Sequence, residues 1–447
     1  MPARLRKRTH RTTLPRVSPA PSPTSATPAA PPTATALPPR LAWAILLALT
    51  CGFTLSQAFR TVAAIMGPPL ASELRLSPQQ LGLWAAAFHF SFGVMQLVMG
   101  VSIDLFGIRR TILTAFPMAV LGAALSAVAP SYTLLLLGQV LIGTGCAPAF
   151  LVCTVFIAKY FAPQRFTPVS GLVMSIGGLG VLATATPLAW LIELSHWRWG
   201  FGVLALASVA SWLVMWWLVR APRGGSAARP AAERQSVGAA LRDLLRLFAL
   251  PHTAGLVAYA AVAYAGFITL RGLWLGPLLV ERHGFSLVQS GNVAFVMTLA
   301  SMASPAIFGR IDPGGARRIR WLLVFAAIAA LMLGVMGLVR IAWVDVALAI
   351  AYGALSGYGL LQYGYVRDAY PEQVRGRALS LFTMAMFLGI ALMQWASGLA
   401  ASVAPRFGLE PFSAALLTMS AMLLLGALAF WLLPRSVPPE APAAPSP

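Results

Sequence analysis

Twelve apolar stretches, each close to the length needed to cross a hydrocarbon layer of roughly 30 Å, follow one another along this chain of 447 residues. Their approximate limits are 41–66, 80–101, 111–129, 133–157, 168–192, 199–219, 253–279, 287–309, 321–339, 343–366, 378–403 and 412–433. Only 10% of the residues are charged, whereas an ordinary soluble domain carries roughly 25%. A backbone in lipid must satisfy its polar groups internally, so segments of this length and composition are expected as helices. The fold class that follows is an all-α polytopic membrane protein with twelve transmembrane helices. Glycine and proline inside the runs are tolerable there because neighbouring helices re-satisfy the freed groups.

A net charge of +20 raises the question of nucleic acid, and the distribution of that charge answers it. With alternate loops assigned to opposite sides, 25 of the 32 Lys and Arg fall on the side of the termini. Five lie on the other side, namely Arg75, Arg198, Arg282, Arg340 and Arg406. This is the positive-inside bias of a membrane protein, which places both termini in the cytoplasm and the chain in a bacterial-type inner membrane. The expected surroundings are the lipid bilayer, with no nucleic acid and no cofactor, and a monomer is expected.

Residues 1–40 are rich in Pro, Ala, Ser and Thr with seven basic residues and no acid, a composition that builds no core. They read as a disordered cytoplasmic leader, an over-extended start being the alternative. Residues 220–250 read as a cytoplasmic linker whose stretch from Val237 to Phe248 is amphipathic, and 435–447 as a cytoplasmic tail. The two bundles between them are 41–219 and 251–434. Cys51, Cys146 and Cys153 all fall inside apolar runs and read as reduced, buried thiols; no metal-ligand spacing exists.

Against that apolar background, Arg60 is conspicuous. It is the only charge between Leu41 and Pro69, with Phe53 and Gln57 on its helical face. A guanidinium at the centre of a membrane helix costs on the order of 2.5–3.5 kcal/mol, so it either snorkels or faces a cavity where something binds it. Arg271 stands at the same depth in the seventh run, with Phe267 one turn and Tyr264 two turns before it. Facing a common cavity, the two would clamp a carboxylate, phosphate or sulfonate. Snorkelling, interhelical packing or gating are the competing roles. Gln362 in the tenth run joins the polar groups that could line such a cavity, or could bond to another helix.

Between the second and third runs lies Gly100, then Asp104, Gly107 and the pair Arg109-Arg110. The order Arg60, Pro69, Glu73, Gly82, Gly100, Asp104, Arg109-Arg110 recurs as Arg271, Pro277, Glu281, Gly291, Gly309, Asp312, Arg317-Arg318, at an offset near 209 residues. The glycine–aspartate–glycine–basic-pair loop and the repeat resemble the major facilitator superfamily. That resemblance spans about 41–434 and implies two six-helix pseudo-symmetric halves that rock about a central site. It also implies that Gly100, Asp104, Gly107, Arg109, Arg110, Gly309 and Asp312 form a cytoplasmic gate joining the halves. In anion-carrying branches of the family, arginines on the first and seventh helices are substrate ligands.

All twelve Asp and Glu lie in loops, tails or at helix ends, so no carboxylate stands ready to carry a proton within the membrane. His89, near the middle of the second run, is the best candidate for coupling, with hydrogen bonding between helices as the plainer role. No GxxxxGK[ST] loop appears, and ATP is not the evident energy source. The expected function is secondary active transport of a small organic anion, with a coupling proton or an exchanged anion. Proton-coupled efflux of amphipathic compounds and a non-transporting membrane sensor are the alternatives. The helix-five glycines lack the Gly-Pro-x-x-Gly-Gly pattern of drug antiporters, and paired buried arginines disfavour a cationic substrate.

Overall fold

The computed structural model describes residues 37–219 and 237–434. Residues 1–36, most of the expected leader, lie outside the described residues, as do 220–236 of the linker and 435–447 of the tail. Among the described residues every regular element is helical. Among the described residues eleven helices are long and apolar enough to span a membrane: α1 (Pro39–Leu74), α2 (Pro78–Ala127), α3 (Tyr132–Tyr160), α4 (Pro168–Leu194), α5 (Trp197–Leu218), α7 (Thr253–Arg282), α8 (Leu287–Ile311), α9 (Gly315–Leu338), α10 (Ala342–Ala369), α11 (Val374–Phe407) and α12 (Pro411–Leu432). The amphipathic stretch of the linker forms the short helix α6 (Val237–Arg246).

Eleven helices make twelve crossings because α2 is two of them. At 1.5 Å per residue its 50 residues would extend about 75 Å, more than twice the hydrocarbon thickness. Gly107 breaks it with φ 78° and ψ 168°, a conformation essentially confined to glycine. Helix α1 runs past the expected end at 66, through Pro68 and Pro69, and stops only where Arg75 turns left-handed at φ 51°.

The internal repeat is visible in the hydrogen bonds. At the start of α2, the Ser77 hydroxyl accepts from the Gln80 amide (3.2 Å) while the Gln80 side chain accepts from Ser77 N (2.9 Å). Ser286 and Gln289, each 209 residues later, build the same capping box at the start of α8, at 3.1 and 2.9 Å. Inside each half, Gly180 lies on the Thr54 carbonyl, and Gly389, again 209 residues on, lies on the Ala261 carbonyl; neither site has room for a Cβ. Backbones that close bind α4 to α1 and α11 to α7, the small-residue packing that substitutes for a hydrophobic driving force in lipid.

Polarity is arranged inside out. Leu206, Trp216, Trp217, Leu331, Leu338 and Trp343 are exposed, as suits a lipid-facing surface, while Arg60, His89, Arg271, Gln362 and Gln394 are buried. Helices α1, α3, α7 and α11 bury 56–67% of their apolar windows, against 28% for α2 and 33% for α5, and so occupy the inner positions.

The halves meet along three seams, and the tightest approaches lie toward the face opposite the termini, here the distal face. A Cβ at Gly82 would stand 2.6 Å from the Gln394 carbonyl oxygen and 3.0 Å from Gly398 Cα, which seats α2 on α11. Its repeat equivalent Gly291 seats α8 on Thr186 and Ala189 of α4 at 3.0 Å. On the central seam Gly272 abuts the Arg60 carbonyl and Gly276 the Ala64 carbonyl. Toward the terminal face the pattern ends: Gly100 and Gly171 have no neighbour within 4 Å of a built Cβ, and Gly309 meets only Leu360 of its own half. The bundle is therefore closed distally.

Candidate functional site: a buried pair of arginines between the halves

Arg60 and Gly272 touch across the central seam, so Arg60 and Arg271 lie at one depth, as their equal positions in the two runs suggested. Their side chains leave the seam in opposite directions. Arg60 rests against the rings of Phe92 on α2 and Phe387 on α11, with its guanidinium carbon 4.7 and 4.8 Å from the two centroids. Arg271 reaches the other flank, where its Nε donates to Thr298 Oγ1 on α8 (3.0 Å) and one Nη to the Val181 carbonyl on α4 (3.2 Å). Each arginine thus spans both halves, one along α2/α11 and the other along α8/α4. They share no hydrogen-bond partner, and a clamp of the expected kind would need both to turn toward the axis.

Neither guanidinium is fully spent. Arg60 is only 9% exposed, yet its buried Nε has no hydrogen-bond partner, and neither has the second Nη of the fully buried Arg271. Local helix geometry places the latter: α7 widens into a π-helical turn over Leu270–Trp274, a distortion frequent at functional positions. Tyr264 lies within electrostatic and hydrogen-bonding reach of Arg60, and Cys146, Tyr363 and His89 within electrostatic reach. Phe267 is buried 6.4 Å from Tyr264, centroid to centroid. Gln57 is half-buried on α1. Gln362 is buried with both ends of its amide unpartnered.

His89 sits on the α2/α11 seam, its Nδ1 3.1 Å from Gln394 Oε1 across the halves and 3.3 Å from the Ala85 carbonyl; its Nε2 has no partner. Thr298, which holds Arg271, is the residue 209 positions after His89. One repeat position therefore carries a polar side chain beside the arginine's flank in both halves.

The loop residues divide. Gly107 makes a tight turn, while a Cβ at Gly100 would meet no neighbour within 4 Å. Asp104 and Arg110 are exposed, and among the described residues Asp104 has no ion pair. Arg109 is half-buried with an unpartnered Nε. Asp312, by contrast, receives Arg318 through both oxygens (2.8 and 2.7 Å) and the Gly314 amide (3.0 Å), and Arg318 continues to Asp368 at 2.5 Å. The hydrogen bonds from Arg318 hold the Asp312 carboxyl below its ordinary range, outweighing partial burial, which acts the other way. All of these contacts stay within one half. The repeat position of Asp368 is Lys159, so the first half lacks the second acid.

Sequence reasoning missed two arrangements. Phe92 and Phe387 are apolar residues in apolar helices and gave no signal. On the distal face, Asp345 is fully buried in the first turn of α10, where His283 Nε2 (2.7 Å) and Arg282 (3.2 Å) meet one of its oxygens. Arg282 also forks onto Glu410 at 2.7 and 2.6 Å. The opposite half uses Glu73, which accepts from Arg198 (2.6 Å) and Trp197 (2.6 Å) and lies 2.9 Å from His196. The halves thus place acid and base in exchanged positions.

A central pair of buried cations between two repeated six-helix units is the setting in which the comparisons with known proteins are informative. A sequence model of the Major Facilitator Superfamily matches residues 48–365. The chain belongs to the Major Facilitator Superfamily. Among superfamily relatives, the hexuronate transporter of Bacillus subtilis is 22% identical over 57% of this chain and 60% of its own length. The probable sulfoacetate transporter of Cupriavidus necator is also 22% identical, over 60% of this chain and 66% of its own. The matched regions thus span about two thirds or less of these two relatives. Of solved superfamily structures, a D-xylose-proton symporter superposes with a TM-score of 0.70 at 15% identity, covering 88% of this chain and 98% of that one. A bacterial homologue of the human lysosomal transporter Spinster, solved inward-facing and occupied, gives 0.65 at 19% identity, covering 87% and 96%. These likenesses establish the fold, that of a multi-pass membrane protein of the superfamily.

Proposed function

We propose that this protein carries a small organic anion across the bacterial inner membrane by alternating access, as a monomer with both termini in the cytoplasm. The observation that carries the reading is the buried Arg60, with an unspent Nε and, among the described residues, no carboxylate acting on it. A buried cation that no protein acid neutralises calls for a bound anion, and the unspent Nη of Arg271 adds a second donor. The relatives named for hexuronate and sulfoacetate support the same charge class, since both molecules are anionic at neutral pH.

In this reading residues 41–219 and 251–434 are the moving bundles, and the distally closed state is inward-facing. Arg60 offers its free edge to the incoming anion and Arg271 turns its spare Nη toward it, Tyr264, Phe267, Gln57 and Gln362 shape the cavity, and His89 is the group that takes a coupling proton. The cytoplasmic gate forms around Gly100, Asp104, Gly107, Arg109, Arg110, Gly309 and Asp312. The test is counterflow of labelled glucuronate, sulfoacetate and a cationic dye in proteoliposomes, with Arg60→Gln and Arg271→Gln beside the wild type. Anion counterflow lost in both variants at unchanged expression is the expected result. Full counterflow in both, or dye movement alone, overturns it.

A further inference from the structure

Phe92 and Phe387 belong to different halves and touch each other, their centroids 4.4 Å apart and their planes tilted by 48°. With the Arg60 guanidinium carbon at 4.7 and 4.8 Å they complete a nearly equilateral triangle. Gly93 permits this, for a Cβ there would already stand 3.1 Å from Phe387 Cβ.

A planar guanidinium has two kinds of surface. Its faces are attracted to aromatic rings, and its edge carries the N–H donors in a rigid fork. Here rings attend to the cation while the Nε donor at the edge stays unspent. Contact with the rings therefore leaves the Nε donor of Arg60 available to an anion.

We propose that Phe92 and Phe387 form a two-ring platform, assembled only when the α2/α11 seam is closed, that positions the Arg60 fork for the anion. The inference rests on the proposed function for its ligand and on geometry alone for its state dependence. When the distal face opens, Phe387 leaves with its own half and Arg60 retains Phe92 only. The orientation of Arg60 is thereby tied to the conformational cycle, and the anion site is better organised in the distally closed state. Phe92 and Phe387 are positioning residues that never need to touch the substrate.

The test replaces Phe387 in the full-length protein with phenylalanines bearing one, two and three ring fluorines, which keep the shape and progressively weaken the ring's attraction for a cation. In the anion-free protein, spin labels across the distal end of α2 and α11 should report a distally open population that rises with each fluorine. Glucuronate and sulfoacetate dissociation constants should rise in parallel, by roughly three- to ten-fold over the series. Phe387→Trp should keep wild-type behaviour and Phe387→Leu should match the trifluorinated ring. An unchanged spin-label distribution across the series overturns the platform whatever the ligand. A shifted distribution with constant affinity overturns the positioning role. A shifted distribution in a protein that binds neither anion leaves the platform standing and removes the anion reading.

Discussion

The Val288 amide, in the first turn of α8, donates to Glu193 at the end of α4 in the other half, at 2.8 Å. Its repeat counterpart is the Gln79 amide in the first turn of α2, which donates to Ser402 on α11 at 2.7 Å. First-turn amides of a helix lack intrahelical partners, so each half caps a helix of the other. Losing a cap costs up to about 1 kcal/mol, or about a five-fold change in an equilibrium. Glu193→Ala and Ser402→Ala should each raise the distally open fraction, and the double variant more than either, read by thiol accessibility of a cysteine placed at the distal seam. Identical accessibility in the double variant and the wild type would remove the caps from the gate.

The Arg282 cluster predicts a stability effect without a transport effect. The side chains of Arg282 and Asp345 are 4% and 0% exposed, and removing one partner of a buried pair strands the other. Arg282→Ala should destabilise by about 3–5 kcal/mol. Thermal unfolding in detergent should show the loss, and a melting curve within error of wild type would contradict it.

Gly107 should resist replacement. Gly107→Ala forces a side chain into a backbone region costing about 1–3 kcal/mol. The expected outcome is a lower unfolding midpoint with anion specificity intact. Should Gly107→Ala melt with the wild type, the break in α2 does not depend on glycine.

Acid should weaken the Asp312–Arg318 contact. Because the folded carboxyl lies below its ordinary value of 3.8, the contact contributes fully above that value and its contribution is lost as pH falls through the lower, folded one. Stability measured between pH 6 and 3 should fall more steeply in the wild type than in Asp312→Asn. Parallel curves would show that Asp312 adds nothing to the acid sensitivity.

Much of this architecture was legible in the sequence, and what was not has a common cause. Apolar runs, the loop at Gly107 and the 209-residue repeat depend on residue type and order, which a sequence displays. Arg60 and Arg271 stood out because charge is rare in these helices. Phe92 did not, since in a helix apolar on every side hydropathy no longer distinguishes lipid-facing from protein-facing positions. The opposite departures of Arg60 and Arg271 depend on helix rotation about the seam, which no spacing records. Asp345 and Arg282 read as boundary residues because they are close to loops in sequence, while the ends of α7, α10 and α12 converge to bury them.

The seams through Gly82, Gly291 and Gly276 join backbone to backbone with scarcely a side chain interleaved. Two surfaces of that kind can separate and meet again without any rotamer having to be unlocked. The barrier to reorientation then resides in the few side-chain contacts that cross the gap, the Glu193 and Ser402 caps, the Thr186–Asn292 bond, the bonds of Arg271 and His89, and the meeting of Arg60 and Phe92 with Phe387. A transporter made this way would have its turnover set by a handful of side chains, and its speed could change through them while its fold stayed the same.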